Sequence, residues 1–233
     1  MKIRRLLIVI CCCLLTACAP SGTAEPTTQT VPETTQAMVT ETMAATEPTA
    51  VPALISSMLV TVDMDNLDNC TVAVSLKEGD AYVDDEGAMQ MKVTVYTYDQ
   101  YDMVDIAQLK AGDTIRIDSK EVIVASVERS DQGDVLVNGG LENGGYTLGT
   151  DDDGTFYVRR ENDAKSWYAL GEKTVRVSPD FLFTDRSQQT PVTYYPGDFL
   201  VEGTGIDYNF TPYNTTITIE NGKIIAMNRV YVP

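Results

Sequence analysis

Apolar and polar residues alternate with a period of two through residues 53–233, and this alternation limits the chain to a mostly β fold. In the clearest case, Ile115 and Ile117 share one face of a strand, and Val122 and Val124 begin a return strand after a polar loop at 118–121. Turn-forming residues separate such segments about every 8–12 positions, a spacing typical of all-β domains. No stretch has the period of a long amphipathic helix, so the sequence predicts an all-β fold, a small barrel or a sandwich.

Two turns mark the hairpins most clearly. Gly112-Asp113 starts the hairpin just described, and this unit resembles those of small SH3-like barrels, which implies architecture and not function. Asn221-Gly222 accepts the positive φ of a type I′ turn and predicts the final hairpin. Asp105 is placed to cap a single helical turn at residues 106–109. Further strands are predicted at residues 71–76, 89–98, 134–138, 155–160, 174–177, 199–202, 215–220 and 223–231.

The glycine-rich segment near residue 140 is the natural seam of the folded part. It predicts two β subdomains, 53–137 with the SH3-like barrel candidate and 138–233, with a single domain as the open alternative. About 180 residues can bury an adequate core in either case.

Residues 1–17 have the pattern of a bacterial export signal. Basic residues precede an unbroken apolar run at 6–15, which is shorter than the roughly 20 residues that a membrane-spanning helix needs. Leu15-Thr16-Ala17-Cys18 resembles the lipobox of bacterial lipoproteins. The resemblance implies that Cys18 is diacylated on its thiol and holds the protein at the cell membrane, facing the extracellular side. An ordinary secretory signal cut near Ala17 or Ala19 is the alternative.

Residues 18–52 comprise the lipidated cysteine and a linker. Positions 19–52 hold ten Thr, five Pro and four Glu, with no Lys, Arg or aromatic residue. Such a segment cannot bury enough apolar surface to offset its ordering entropy, so the sequence predicts a disordered tether. A long Thr/Pro/Glu tether behind a lipidated cysteine resembles the stalk of uncharacterised Gram-positive lipoproteins.

The charge of the chain limits its partners. The formal net charge of −17 becomes −20 once residues 1–17, which carry three basic and no acidic residues, are removed. An acidic surface repels phosphate backbones and anionic membranes, so we expect no nucleic-acid partner and attachment to the membrane only through the lipid on Cys18. A glycan or an envelope protein is the expected ligand, and no cofactor is expected.

Two stretches of oxygen-bearing side chains are candidate calcium sites. Residues 63–69 place Leu67 where a third oxygen ligand would be needed, and residues 151–154 end in an Asp-Gly turn. Solvated turns explain both segments, so no metal ligand is predicted.

A tandem Asn-Gly-Gly motif is one of two candidate binding features. Glycines let backbone amides converge, so this loop could form an anion-binding nest or approach a ligand closely. Two tight turns are the alternative, because Asn-Gly is chiefly a turn signal. The motif consists of Asn138, Gly139, Gly140, Asn143, Gly144 and Gly145.

Aromatic residues crowd the C-terminal half and form the second candidate feature. Exposed Tyr and Trp rings beside carboxylates could stack on sugar rings or hold a peptide, whereas core and turn packing is the alternative. The rings predicted to take part are Trp167, Tyr194, Tyr195 and Tyr208.

The absence of histidine excludes most catalytic systems. No Ser-His-Asp or Cys-His arrangement can form, and Cys70, the one thiol left beside Cys18, cannot build a thiolate metal site. The sequence therefore favours a non-catalytic binding or accessory module. A carboxylate-based hydrolase of glycans or cell wall is the alternative, and it requires two facing carboxylates in a cleft.

Overall fold

A computed structural model of the chain describes residues 51–59 and 62–232. Cys18, the predicted export signal and the linker up to residue 50 lie outside the described residues. Within the described part, no helix has both the length and the apolar character needed to cross a membrane.

Strands dominate the described residues. There is one short helix, α1 (Met103–Gln108), and there are 3-10 turns at Leu141–Asn143, Glu161–Asp163 and Pro196–Phe199. The strands are β1 (Leu54–Ile55), β2 (Cys70–Ser75), β3 (Ala81–Val83), β4 (Met89–Thr97), β5 (Gln100–Tyr101), β6 (Thr114–Ile117), β7 (Lys120–Ile123), β8 (Val127–Arg129), β9 (Val135–Val137), β10 (Tyr146–Thr150), β11 (Phe156–Arg159), β12 (Tyr168–Arg186), β13 (Val192–Tyr194), β14 (Thr215–Glu220) and β15 (Lys223–Val230). This composition confirms the predicted all-β fold.

Five of the strands close a barrel. Antiparallel pairs join β4 to β2, β2 to β14 and β14 to β15, a parallel pair joins β15 to β12, and β12 returns to β4 in antiparallel register. With its parallel third and fifth strands, this ring has the Greek-key connectivity of an OB-type barrel. β3 and β13 extend the barrel sheet at its two edges.

β12 pairs with a neighbour on each of its two sides. Residues up to Arg176 pair with β4, and residues from Arg176 onward pair with β15, with Arg176 paired to both strands. The register slips between Val177 and Leu182, where Pro179 has no N–H to donate. A bulge at this position redirects the strand, so one long segment supplies two sides of the barrel.

The barrel interior follows the alternation seen in the sequence. Ile217 and Ile219 of β14 are fully buried, as are Met91 and Val95 of β4. Each such side chain contributes about 1.5–3 kcal/mol of burial free energy. Phenylalanines fill the end of the core near β13 with ring centroids 5.5–5.8 Å apart, namely Phe181, Phe183, Phe199 and Phe210.

One ion pair is buried in the barrel wall, where Asp185 of β12 faces Arg229 of β15. Arg229 is 2% exposed and Asp185 is 5% exposed. The Arg229 Nε donates to Asp185 Oδ1 at 2.9 Å, and a second guanidinium nitrogen bonds Oδ2. The guanidinium also lies 4.8 Å from the ring centroid of Phe210, so polar and aromatic groups surround the charge completely.

Residues 98–167 form an inserted lobe between β4 and β12. Its sheets have the strand orders β5-β11-β10-β9-β8 and β1-β6-β7, so β1 joins this lobe from outside the insertion. The two sheets share a second core, separate from that of the barrel, whose fully buried members include Tyr101, Ile115 and Leu148. The Tyr101 hydroxyl donates to the carbonyl of Arg116 at 2.6 Å, which ties the two sheets together.

The chain divides differently from the seam expected near residue 140. The barrel core takes residues from 67–95 and again from 175–227, whereas the inserted core spans 101–158 with Ile55. β9 and β10 pair directly across the glycine-rich segment. That segment is therefore a hairpin turn inside one lobe, because glycine marks tight turns as readily as linkers.

Several local predictions are corrected by the structure. The helix cap is Asp102, whose Oδ1 accepts from the amide of Val104 at 2.7 Å, and not Asp105, which lies in the first turn of α1. Residues 199–202, expected as a strand, follow the 3-10 turn that starts at Pro196, because proline favours the first position of a helical turn. The Asn221-Gly222 hairpin is confirmed, with φ values of 51° and 68°.

Candidate functional site

A large cavity lies between the inserted lobe and the segment that leads into β14. Its volume is about 1090 Å³. We call it the inter-lobe cleft. Asp118, Leu141, Gly145, Tyr146 and residues 158–167 line it on one side, and Asn209, Thr211, Tyr213, Asn214 and Val232 line it on the other.

The rim of the cleft is a tight turn after β11. The amide of Arg160 donates to the carbonyl of Ala164 at 2.8 Å and closes the turn. Asn162 has a φ of 61° and Asp163 a φ of 59°, left-handed values that Asn and Asp tolerate better than most residues. This conformation leaves Glu161 and Asn162 exposed at the mouth of the cleft.

Trp167 is held at the junction between the lobes. It precedes the first residue of β12, and its ring meets that of Tyr98, which follows β4, edge-to-face at a centroid distance of 4.8 Å. Because Tyr168 pairs with Thr97, the barrel fixes the backbone on both sides of this contact. The indole is half-buried and lines the cleft.

Two of the three cations at the cleft are already neutralised by carboxylates. Lys165 bonds Asp151, and Arg159 donates to Asp134 at 2.5 Å. Burial lowers the pKa of Lys165, but the bond to Asp151 and the neighbouring Tyr98 outweigh it, so the pKa lies above its ordinary value. Lys165 therefore stays charged, with its Nζ 4.7 Å from the centroid of the Tyr98 ring.

Arg160 is held by a buried serine. Its Nε donates to the Oγ of Ser166 at 2.9 Å, and that Oγ donates to Asp118 at 3.3 Å. The terminal guanidinium nitrogen lies 4.0 Å from Asp118, and about half of the Arg160 side chain is exposed. Arg160 therefore presents N–H donors to the cleft from a fixed position.

The Asn-Gly-Gly loop is a compact turn whose amides are used internally. The amides of Gly140, Asn143, Gly144 and Gly145 bond carbonyls at 137–141, and the amide of Leu141 bonds the Thr147 hydroxyl. These donors are not free for an anion, so the nest interpretation receives no support here. The loop consists of tight turns, the alternative that its Asn-Gly pairs indicate.

Asn138 has a structural position at the start of that loop. Its Oδ1 accepts from the amide of Ala125 at 2.7 Å, and its Nδ2 donates to the carbonyl of Ile123 at 3.0 Å. It therefore fixes the segment after β7. Asn143 likewise donates to Gly139 within the loop, at 2.8 Å.

The loop nevertheless borders the site. A smaller cavity of about 500 Å³ lies between Gly139, Gly140 and Asn143 on one side and residues 159–163 on the other. It shares the 159–162 turn with the inter-lobe cleft, and Gly145 lines the cleft itself. The loop and Trp167 thus line two cavities that share the 159–162 turn.

Three of the predicted aromatic residues lie elsewhere. The Tyr194 ring stacks on Phe183 at 5.4 Å, and its hydroxyl donates to Gly205. Tyr195 is 60% exposed. Tyr208 lines a different cavity and packs against the barrel core. None of the three lines the inter-lobe cleft, because the segment that carries them packs over the end of the barrel.

Asp99 and Asp118 are two carboxylates that lie close enough for the charge of Asp118 to help raise the pKa of Asp99. The acid with a raised pKa, within residues 51–59 and 62–232, is Asp99, and burial is the main cause. Asp99 lines a separate cavity of about 480 Å³ and accepts bonds from the Asp118 amide at 2.7 Å and the Tyr168 hydroxyl at 3.3 Å. In the same part of the chain, no group of His, Cys, Asp and Glu is arranged to hold a metal ion.

The sequence reasoning missed several residues of the cleft. Arg160, Glu161 and Asn162 lie in a run of seven residues from Arg159 to Lys165 with five charged members. A dense charge run between two strands is a loop signal, and it could have marked the rim. Asn209 and Tyr213 come from the far end of the chain, and no local pattern places them here.

No protein-family model, no curated protein and no solved structure matches this chain.

Proposed function

We propose that this protein is a lipid-anchored, non-catalytic binding module of the cell envelope that holds a neutral oligosaccharide in the inter-lobe cleft. The observation that carries the proposal is the position of Trp167 and Tyr213 beside exposed amide and guanidinium groups in a cavity of about 1090 Å³. Pockets of roughly 300–1,000 Å³ bind drug-sized ligands, so this cleft has room for several sugar rings.

The cleft residues have the chemistry that a sugar chain needs. Indole and phenol rings present flat apolar faces to the C–H face of a pyranose, with a polar group at the ring edge. Arg160 offers N–H donors, Glu161 offers acceptors, and the amides of Asn162 and Asn209 offer both. These planar groups match the alternating hydroxyl donors and acceptors around a sugar ring.

The electrostatics of the cleft favour a neutral ligand. Arg159 and Lys165 are paired with Asp134 and Asp151, so neither is available to a carboxylate or phosphate. An anionic glycan would also approach a chain of net charge −17. Charge repulsion between the acidic protein and an anionic ligand slows their association.

The attachment to the membrane rests on Cys18 and the linker. The lipobox pattern Leu15-Thr16-Ala17-Cys18 supports lipidation, and residues 19–52 supply a tether. At about 3.1 Å per residue in polyproline II geometry, that tether reaches roughly 100 Å. A binding domain on such a tether would sample glycans well above the membrane surface.

Tryptophan fluorescence tests the binding site directly, because Trp167 is the single tryptophan of the chain. Titration with hexamers of glucose and of N-acetylglucosamine should change the emission for at least one sugar. Trp167→Ala should weaken binding of that sugar, followed by calorimetry, by about tenfold, or about 1.4 kcal/mol. Tyr195→Ala, an exposed ring outside the cleft, is the control and should leave the affinity unchanged. Binding that Trp167→Ala does not alter would refute the site.

Membrane fractionation tests the anchor. Cys18→Ala should move the protein from the membrane to the soluble fraction, because two acyl chains hold it there. Cys70→Ala removes the other mature cysteine and should leave the protein in the membrane. Retention of the Cys18→Ala variant in the membrane would contradict lipidation.

A further inference from the structure

The outer edge of β3 is an open hydrogen-bonding edge. The amide of Lys92 donates to the carbonyl of Asp80, and the amide of Asp84 donates to that of Ala88, each at 2.9 Å. Antiparallel partners bond at every second position, so the N–H and C=O groups of Ala81 and Val83 face away from β4. β3 is the last strand on its side of the barrel sheet.

A groove of mixed apolar and acidic lining lies beside this edge. It has a volume of about 750 Å³ and runs between residues 78–83 and residues 199–208. We call it the edge groove. Four of its large apolar side chains are exposed, with exposed fractions of 42–64%, namely Tyr82, Val83, Leu200 and Val201. Scattered apolar residues are normal on a surface, but a contiguous group beside an open strand edge favours interaction with another chain.

The charged residues that line the edge groove are acidic. Glu78 and Glu202 line it, and no Lys or Arg is among its described lining residues. Asp84, Asp85 and Glu86 continue the acidic rim directly after β3. Burial and the charge of Glu78 raise the pKa of Tyr208, which also lines the groove.

We propose that the edge groove binds an extended basic peptide segment of a partner protein, which adds a strand to β3. Backbone groups of the peptide would bond Ala81 and Val83, as in other cases of strand addition. Its apolar side chains would lie against Leu200 and Val201, and its lysine or arginine side chains would meet Glu78 and Glu202. The site is independent of the glycan cleft and of the anchor.

The acidic rim argues against a second copy of this chain as the occupant. Two copies paired antiparallel through β3, with the two-fold axis at Tyr82, would place Glu78 of one copy opposite Glu86 of the other, and like charges opposite each other destabilise a strand pair. Charged residues beside a short edge strand are a known protection against self-association. A basic partner turns the same residues into attractive contacts.

Fluorescence anisotropy with a labelled Lys-Val-Lys-Val-Lys-Val-Lys peptide tests the proposal on the full-length protein. The peptide should bind, and Glu78→Lys with Glu202→Lys should weaken binding by about tenfold or more. Both glutamates are exposed, so the double variant should keep the circular dichroism spectrum of the wild type. Glu128→Lys with Asp131→Lys makes the same change in net charge on exposed residues of the inserted lobe and should have little effect.

A second peptide separates strand addition from simple charge attraction. Methylation of alternate backbone nitrogens, those that would face β3, should abolish binding while it leaves every charge in place. Three results would each overturn the proposal: no binding of the parent peptide, equal weakening by the two double variants, or equal binding of the methylated peptide. Sedimentation that shows dimers lost on Glu78→Lys with Glu202→Lys would assign the edge groove to a second copy and equally reject the basic partner.

Discussion

Removal of Asp185 should be among the most damaging single changes to the barrel. Asp185→Ala leaves the Arg229 guanidinium buried between β12 and β15 without its carboxylate. The carbonyl of Asp207 and the rings of Phe183 and Phe210, with centroids at 5.7 and 4.8 Å, remain beside the charge. The Asp207 carboxylate lies 3.9 Å from the guanidinium, but it is largely exposed and replaces only part of the lost charge. The variant must therefore tolerate a poorly paired buried cation or open the wall.

The expected loss is about 3–5 kcal/mol in the free energy of unfolding. For a folded part of this size, each kcal/mol corresponds to a fall of about 2–4 °C in the melting temperature. Arg229→Met should cost less, because the remaining Asp185 carboxylate still accepts from the amide of Ser187 at 2.9 Å. Asp185→Leu combined with Arg229→Met removes both charges and should recover most of the loss.

Urea unfolding followed by circular dichroism measures these differences. Glu172→Ala is the matched control, since Glu172 also lies on β12 and pairs with Lys92 at 2.9 Å, but with both side chains largely exposed. An exposed pair contributes about 0–1 kcal/mol. A loss below about 1 kcal/mol for Asp185→Ala, equal to that of the control, would refute the reasoning.

The stability difference should also depend on pH. Burial raises the pKa of Asp185, but hydrogen bonds from Arg229 and Ser187 outweigh it and hold the pKa below its ordinary value. The carboxylate therefore stabilises the fold above the unfolded pKa of about 3.9. That stabilisation is lost as the pH falls through the lower folded pKa, so wild type and Asp185→Ala should converge in strong acid.

Three further changes test local parts of the fold by thermal unfolding. Gly145→Ala would place a Cβ 2.2 Å from the carbonyl oxygen of Val137, so it should lower the free energy of unfolding by about 3 kcal/mol. Gly197→Ala is the control, because a Cβ there meets open space and should be neutral. Equal melting temperatures for the two variants would contradict the close approach. Asp102→Ala should cost about 1 kcal/mol through loss of the helix cap, and a smaller effect than that of Asp105→Ala would contradict the cap assignment. Burial raises the pKa of Asp99, so ionisation of this carboxyl opposes folding. Asp99→Asn should therefore gain stability relative to wild type as the pH rises from about 4. A stability difference between the two proteins that stays constant with pH would contradict the burial argument.

The sequence predicts the local elements well where one face of a strand is buried. Residues 215–220 were predicted as a strand and form β14, whose Ile217 and Ile219 point into the core. The closure of the barrel cannot be predicted from the alternation of apolar and polar residues. It depends on the bend of β12 at Pro179 and on a pairing of β12 with both β4 and β15, contacts between residues far apart in the chain.

The cleft shows the same division between local and distant information. Residue type points to Trp167 and the Asn-Gly-Gly loop, and these line two cavities that share the 159–162 turn. Tyr194 and Tyr208 were singled out by the same reasoning but belong to the barrel lobe. Residue type indicates which side chains can bind a ligand, whereas only the insertion of residues 98–167 between two barrel strands decides which of them meet.

The position of the insertion gives the cleft an anchored base and a variable rim. The chain leaves the barrel after Thr97 and returns at Tyr168, and these two residues are paired. Their neighbours Tyr98 and Trp167 make the aromatic contact that closes the junction. A change at Glu161 or Asn162 can therefore alter the groups at the mouth of the cleft without disturbing either core, because both side chains are exposed. Trp167 differs from these exposed residues, because its ring packs against Tyr98 where the chain returns to the barrel.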